Sequence, residues 1–178
     1  MSNVLIGIIG VILFIGLALA GALFLGPRFQ ESTNTTKAAR IVSDMQQITA
    51  AVNMYRLREG APLLATDYTT NVAKLMPGYL KTEPLVATSG LHYETVDVDG
   101  GNRAMPIHHI QAIIGSTSDT VAKAVCRNIE ASTGATDPDA AIAAISTTAQ
   151  WTARVGGGRG VGCFEFAPVK AYYAFMVF

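Results

Sequence analysis

Charged side chains are what this chain has least of. Lys, Arg, Asp and Glu together make up 15% of its 178 residues, where soluble domains carry about 25%. The 13 basic and 13 acidic residues cancel to a formal net charge of zero. Without a basic excess there is no electrostatic footprint for a phosphate backbone, so a charge-driven nucleic-acid binder is excluded. Two cysteines exclude a disulfide-dense scaffold, and no CxxC pair exists to begin a zinc site. Half of all residues are apolar and mean hydropathy is positive, which excludes a disordered chain.

The missing charge is missing mainly from one end. No ionisable side chain precedes Arg28, and residues 4–26 read VLIGIIGVILFIGLALAGALFLG. About 20 apolar residues cross a hydrocarbon core of roughly 30 Å, so a membrane-compatible helix is expected here. A secretory signal peptide is the rival reading, because Ala18-Leu19-Ala20 mimics a small-residue cleavage site. Against it, Met1-Ser2-Asn3 offers no basic region and the apolar run continues through Phe24 and Leu25. Gly7, Gly10, Gly16, Gly21 and Gly26 suit close helix approach in apolar surroundings, although no pair has the GxxxG spacing. The run fits both a lone anchor and a helix packed against copies of itself.

Pro27 removes a backbone donor and its ring crowds the preceding turn, which predicts a helix kink. Ser32-Thr33-Asn34-Thr35-Thr36 has poor helix propensity and predicts local loosening. Ile41, Met45, Ile48, Val52 and Tyr55 then follow in 4-3-4-3 spacing, the pattern of a helix with one face packed on a head domain. Lys37, Arg40, Asp44, Gln47 and Arg58 read as the opposite, solvated face. Gly60 and Pro62 supply the stop. One helix over residues 2–58 would be on the order of 85 Å long, whereas a compact domain of this size is about 30 Å across. Its apolar half is therefore expected to protrude and to need lipid or neighbouring copies as cover.

Beyond residue 60 the pattern is that of a small α+β domain. Residues 61–90 read as loop with a short helix near 71–76, residues 91–98 as a strand, and Asp99-Gly100-Gly101 as a hairpin turn leading to a return strand over 105–114. Ser116-Thr117-Ser118-Asp119 offers capping groups for a helix carrying Val121, Ala122, Val125, Cys126 and Ile129. Asp137-Pro138-Asp139 predicts a second, Ala-rich helix to about Ala149, and residues 161–166 and 171–178 predict strands. The expected architecture is a long N-terminal α-helix with its apolar half protruding, packed on a mainly antiparallel sheet of about four strands with small helices. The corresponding divisions are 1–27, the apolar half-helix; 28–60, the amphipathic half-helix; and 61–178, the head.

Chemistry-bearing residues are few. Cys126 and Cys163 beside a membrane-inserted start suggest a disulfide in an oxidising compartment, with two buried thiols as the alternative. That compartment conflicts with the positive-inside rule, since Arg28, Lys37 and Arg40 follow the span and nothing charged precedes it. A basic leader in a precursor would remove the conflict. His108 and His109 point to opposite faces of a strand, and one of them at best approaches His92 across the hairpin, so no metal site is expected. The glycine-rich stretch 156–162 lacks Gly-Lys-Ser/Thr and precedes a strand, so it reads as a loop rather than a phosphate cradle. No Ser–His–Asp arrangement can be picked out. No catalytic residue, cofactor or enzyme activity is expected.

Taken together, the uncharged start, Thr36-Lys37-Ala38-Ala39, the amphipathic continuation to Tyr55-Arg56 and the Gly60/Pro62 exit resemble a type IV pilin of the type IVb group, near toxin-coregulated and thin-pilus pilins. Cys126 and Cys163 resemble the disulfide bounding the variable region of such pilins. The resemblance implies cleavage of a precursor by a prepilin peptidase and residence in the bacterial inner membrane. It then implies action of the pilus assembly machinery, and self-assembly into an extracellular helical homopolymer with the head exposed for adhesion or aggregation. It assigns Val4, Leu5, Ile8, Ile9, Ile12, Phe14, Leu17, Leu23 and Phe24 to filament-core packing. The family's glutamate at the fifth mature position is replaced here by Leu5, and no acidic residue precedes Glu31. A core held by apolar burial without that ion pair is therefore implied. A minor pilin, a type II secretion pseudopilin and a bitopic membrane-anchored binding protein are the alternatives.

Overall fold

The structure is a computed structural model that describes residues 2–64, 68–96, 108–156 and 160–178, with the side chains of residues 2–5, 24 and 68–70 outside the description. Two units are each compact in themselves, Met1–Asn34 and Thr35–Phe178. Both contribute to α1, Ser2–Glu59. Pro27 lies inside that helix. The predicted loosening over residues 32–36 is absent, because the helix runs on unbroken and the Thr33 hydroxyl donates back to the Phe29 carbonyl at 2.8 Å. Arg56 and Arg58 in the last turn complement the negative end of the helix dipole. Gly60, at φ +65°, then closes the helix with its N–H donating to the Arg56 carbonyl.

The second unit is α+β. After α2, Tyr68–Leu75, come β1, Tyr93–Val96, and β2, His109–Ser116. These correspond to the two expected hairpin strands, while the turn at residues 99–101 and the start of the return strand lie outside the described residues. Next are α3, Thr120–Ser132, α4, Pro138–Ala141, and β3, Ala144–Ile145. The chain ends with α5, Thr148–Gly156, β4, Val161–Phe166, and β5, Ala171–Val177. Asp119 caps α3 by accepting from the Val121 N–H at 2.8 Å. The sheet has five strands in the order β1-β2-β5-β4-β3, one more than expected. Its additional member, β3, pairs parallel to β4, while the other pairings are antiparallel.

β3 comes from the segment expected to be one Ala-rich helix to Ala149. That helix stops at Ala141 because a second start signal interrupts it. The Thr147 side chain accepts from the Gln150 N–H at 3.2 Å, and the Gln150 side chain accepts from the Ser146 and Thr147 N–H groups at 2.9 and 3.2 Å. This reciprocal capping box opens α5 and leaves Ala144 and Ile145 extended.

The C-terminal strand β5 is central and alternates between two cores. Tyr172, Ala174 and Met176 join the first core, with Ile41, Met45, Ile48 and Val52 of α1, and Val125, Cys126 and Ile129 of α3. Phe175 joins the second core, with Trp151 and Val155 of α5 and Phe164 of β4, and Tyr173 and Val177 pack against it. Burial on both faces is why the last strand reads as an almost continuous apolar run. Tyr55 is partly buried at the edge of the first core, its ring 5.6 Å from Tyr79.

One side chain assigned to the solvated face of α1 is inside. Asp44 is 8% exposed and accepts a hydrogen bond from the Tyr93 hydroxyl of β1 at 3.1 Å, with Arg40 3.8 Å away. Helical periodicity places Asp44 beside Met45 at the margin of the stripe, and a partner on the sheet then draws it in. Removing the donor leaves a buried carboxylate short of a partner. Tyr93→Phe is expected to lower stability by about 1–3 kcal/mol in urea unfolding, with an unchanged m-value. A loss below a few tenths of a kcal/mol would mean that the Tyr93–Asp44 contact does not fasten α1 to the sheet.

Candidate assembly surface and the disulfide-closed region

Within the first unit, Ile8, Ile9, Ile12, Phe14, Leu17 and Leu23 are 50–76% exposed. The side chains of Val4, Leu5 and Phe24 lie outside the description. Exposure is not confined to the positions that the resemblance assigns to core packing. Ile6, Val11, Leu13, Ile15, Leu19 and Leu25 are equally exposed, and consecutive residues 11–15 turn through every direction around the helix axis. Over residues 6–25 the described side chains present no polar face. A helix that is apolar all round is a helix meant for burial all round. It is long and apolar enough to cross a membrane.

The second region of interest is closed by the disulfide Cys126–Cys163, which joins α3 to β4 across 37 residues of sequence with Cα atoms 5.5 Å apart. One helical turn beyond Cys126, Glu130 is fully buried. Its Oε1 accepts from the Arg154 guanidinium of α5 and from the Cys163 N–H of β4, both at 2.5 Å. Arg154 also donates to the carbonyls of Ala141 and Cys163, at 3.0 and 3.2 Å, and lies over the Phe175 ring at 5.8 Å.

β3 covers β4 only at Glu165 and Phe166. At Cys163, the carboxylate and guanidinium take the place of the missing neighbour strand, one accepting from the backbone N–H and the other donating to the C=O. Gly162 makes room for this. A Cβ there would lie 2.8 Å from Glu130 Oε1 and 2.7 Å from the Phe175 ring.

This clasp was not read from the sequence. A signal existed, since Ala122, Val125, Cys126, Ile129 and Glu130 fall on one helical face and the carboxylate cannot point to water if Cys126 points inward. Its partner Arg154, 24 residues away, has no such local mark.

The histidines do not converge. Strand register sets Val96 opposite His109 and Tyr93 opposite Ala112, so His92 lies well along the hairpin from both. His92 pairs with Glu83 instead, and the buried His109 ring packs 5.2 Å from Trp151. Among the described residues no group of three or more His, Cys, Asp or Glu is placed to hold a metal. Residues 157–159 of the glycine-rich stretch lie outside the described residues, and the remainder ends α5 and begins β4. Burial, reinforced by the nearby Glu94 carboxylate, holds the Tyr173 hydroxyl above the ordinary tyrosine pKa. No protein-family model, curated protein or solved structure matches the chain.

Two outcomes test the closed region. Replacing both Cys126 and Cys163 by Ala is expected to cost about 2–5 kcal/mol against the oxidised protein. The same change should cost far less against the reduced protein, compared by denaturant unfolding with and without reductant. An equal cost in both would show that the thiols act by packing alone. Gly162→Ala is expected to cost about 1–3 kcal/mol by overpacking, seen as a fall of several degrees in melting temperature; an unshifted transition would mean that the clasp yields freely.

Proposed function

We propose that the chain is a structural subunit of an extracellular filament of the type IV pilus kind. The apolar helix packs among copies of itself in the filament core, and the disulfide-bonded α+β head forms the outer surface for adhesion or aggregation. The observation that carries this reading is the helix surface over residues 6–25, which is apolar in every direction. The same helix, over residues 38–52, supplies one wall of a buried core. A structural role rather than catalysis is part of the same reading, as are residence in the inner membrane before assembly, cleavage by a prepilin peptidase and handling by pilus assembly machinery.

Burial energetics support the reading without any ion pair. Each large apolar side chain taken fully out of water contributes roughly 1.5–3 kcal/mol, so a dozen such residues drive association strongly. In the bilayer the same side chains are already covered, and exchange of lipid for neighbouring helices then depends on packing. A bitopic protein whose head binds a partner is the second reading, favoured by the span's sufficiency for a membrane. A minor pilin or secretion pseudopilin would differ from the main reading only in abundance and position in the assembly.

Ile12→Asp and Phe14→Asp separate these readings, because a charge in an apolar core costs several kcal/mol with no partner to offset it. Filaments seen by electron microscopy of sheared surface material are expected from the parent and lost in either variant, while the head keeps its disulfide and its far-ultraviolet circular dichroism. Filaments undiminished in both variants would place the core elsewhere. A parent that stays monomeric and detergent-dependent would favour the bitopic reading.

A further inference from the structure

The second face of the sheet is only partly covered by α5, and beside that helix lies a groove of about 190 Å³. Its walls are aromatic. Phe164 stacks on Tyr173, with ring centroids 5.6 Å apart and planes within 8°. Phe166 stands edge-on to Tyr173 at 6.0 Å, and Trp151 of α5 closes one side. The volume is well below the roughly 300–1,000 Å³ of sites for free small molecules, and it suits one large side chain.

Its electrostatics are one-sided. Among the described residues the lining holds no Lys, Arg or His, and the polar group on the floor of β2 is the carboxamide of Gln111. That amide donates to the Glu94 carboxylate at 2.6 Å, and the charge of Glu94 is felt at the Tyr173 hydroxyl. Ring faces carry negative quadrupole potential and attract cations. A carboxylate beside them adds attraction of the same sign. A planar guanidinium satisfies both, because it stacks on an aromatic face while its N–H groups meet a carboxylate.

We infer that the groove lined by Trp151, Phe164, Phe166, Tyr173 and Gln111, with Glu94 hydrogen-bonded to Gln111 beside it, is a socket for an arginine side chain presented by a protein partner. The inference stands on the head alone and holds whether or not the chain forms filaments. Trp151 is the chain's single tryptophan, so the emission comes from one residue that lines the groove.

The test is a fluorescence titration of the full chain in non-ionic detergent micelles with Nα-acetyl-arginine amide. A neutral apolar control, Nα-acetyl-norleucine amide, and Nα-acetyl-lysine amide run in parallel. Saturable change with the arginine probe at millimolar concentration is expected. Binding should weaken at least about fivefold in Glu94→Gln, weaken again in Phe166→Leu, and fall as salt rises. Circular dichroism of the variants checks that the head stays folded. Equal binding of the norleucine probe would make the groove an apolar socket and overturn the assignment. Tighter binding of lysine than arginine, or no saturable response to any probe, would also overturn it.

Discussion

Cover for apolar surface is the constraint on which this molecule turns, and α1 carries the demand in two forms. Over residues 38–52 the demand is one-sided, and the sheet and α3 meet it: Ile41, Met45, Ile48 and Val52 are at most 1% exposed. Over residues 6–25 it comes from every direction, and the large apolar side chains described there are 50–76% exposed. Amphipathicity divides the two stretches. A striped helix needs one surface and finds it inside its own domain, whereas an unstriped one needs an environment. Lipid and a bundle of like helices are the two environments that can surround it, and the proposed life of the protein uses them in turn.

The head meets a different constraint, the satisfaction of backbone groups at the side of its sheet. β3 is too short to pair with all of β4, and the exposed edge of a strand is a template for unwanted pairing. Glu130 and Arg154 serve as side-chain substitutes for the absent strand at Cys163, and the disulfide one turn away holds Glu130's helix against that strand. A buried ion pair is a poor source of stability compared with apolar packing. Here its contribution is to complete a hydrogen-bond ladder, and for that task a charge-assisted donor and acceptor of fixed geometry suit better than methyl groups. Gly162 is the geometric condition for the arrangement.

Much of this was legible before folding. The 4-3-4-3 spacing marked the buried stripe, the Ser116–Asp119 hydroxyl and carboxylate groups marked the start of α3, and the β-branched and aromatic runs marked β4 and β5. Each of these is a short-range pattern repeated within one element. The failures were also local in origin. The Ala-rich stretch after Pro138 has the propensity of one long helix, and the capping box at Thr147 and Gln150 interrupts it. Asp44, grouped by the sequence with the face opposite the stripe, lies next to the stripe instead, and Tyr93 reaches it.

By itself, then, the sequence determined α1, α3 and the strands β1, β2, β4 and β5, which stretch of helix lacks a polar face, and that two cysteines were available to close one loop. Those properties follow from periodicity and composition, which any stretch of chain carries with it. Only the tertiary structure decided that the last strand lies in the middle of the sheet, with β3 running parallel at its edge. It also decided that Glu130 meets Arg154 behind Cys163 and that four aromatic rings from three elements enclose a groove near Glu94. These are contacts between residues far apart in sequence, set by how whole elements pack, and no local pattern encodes a partner that distant.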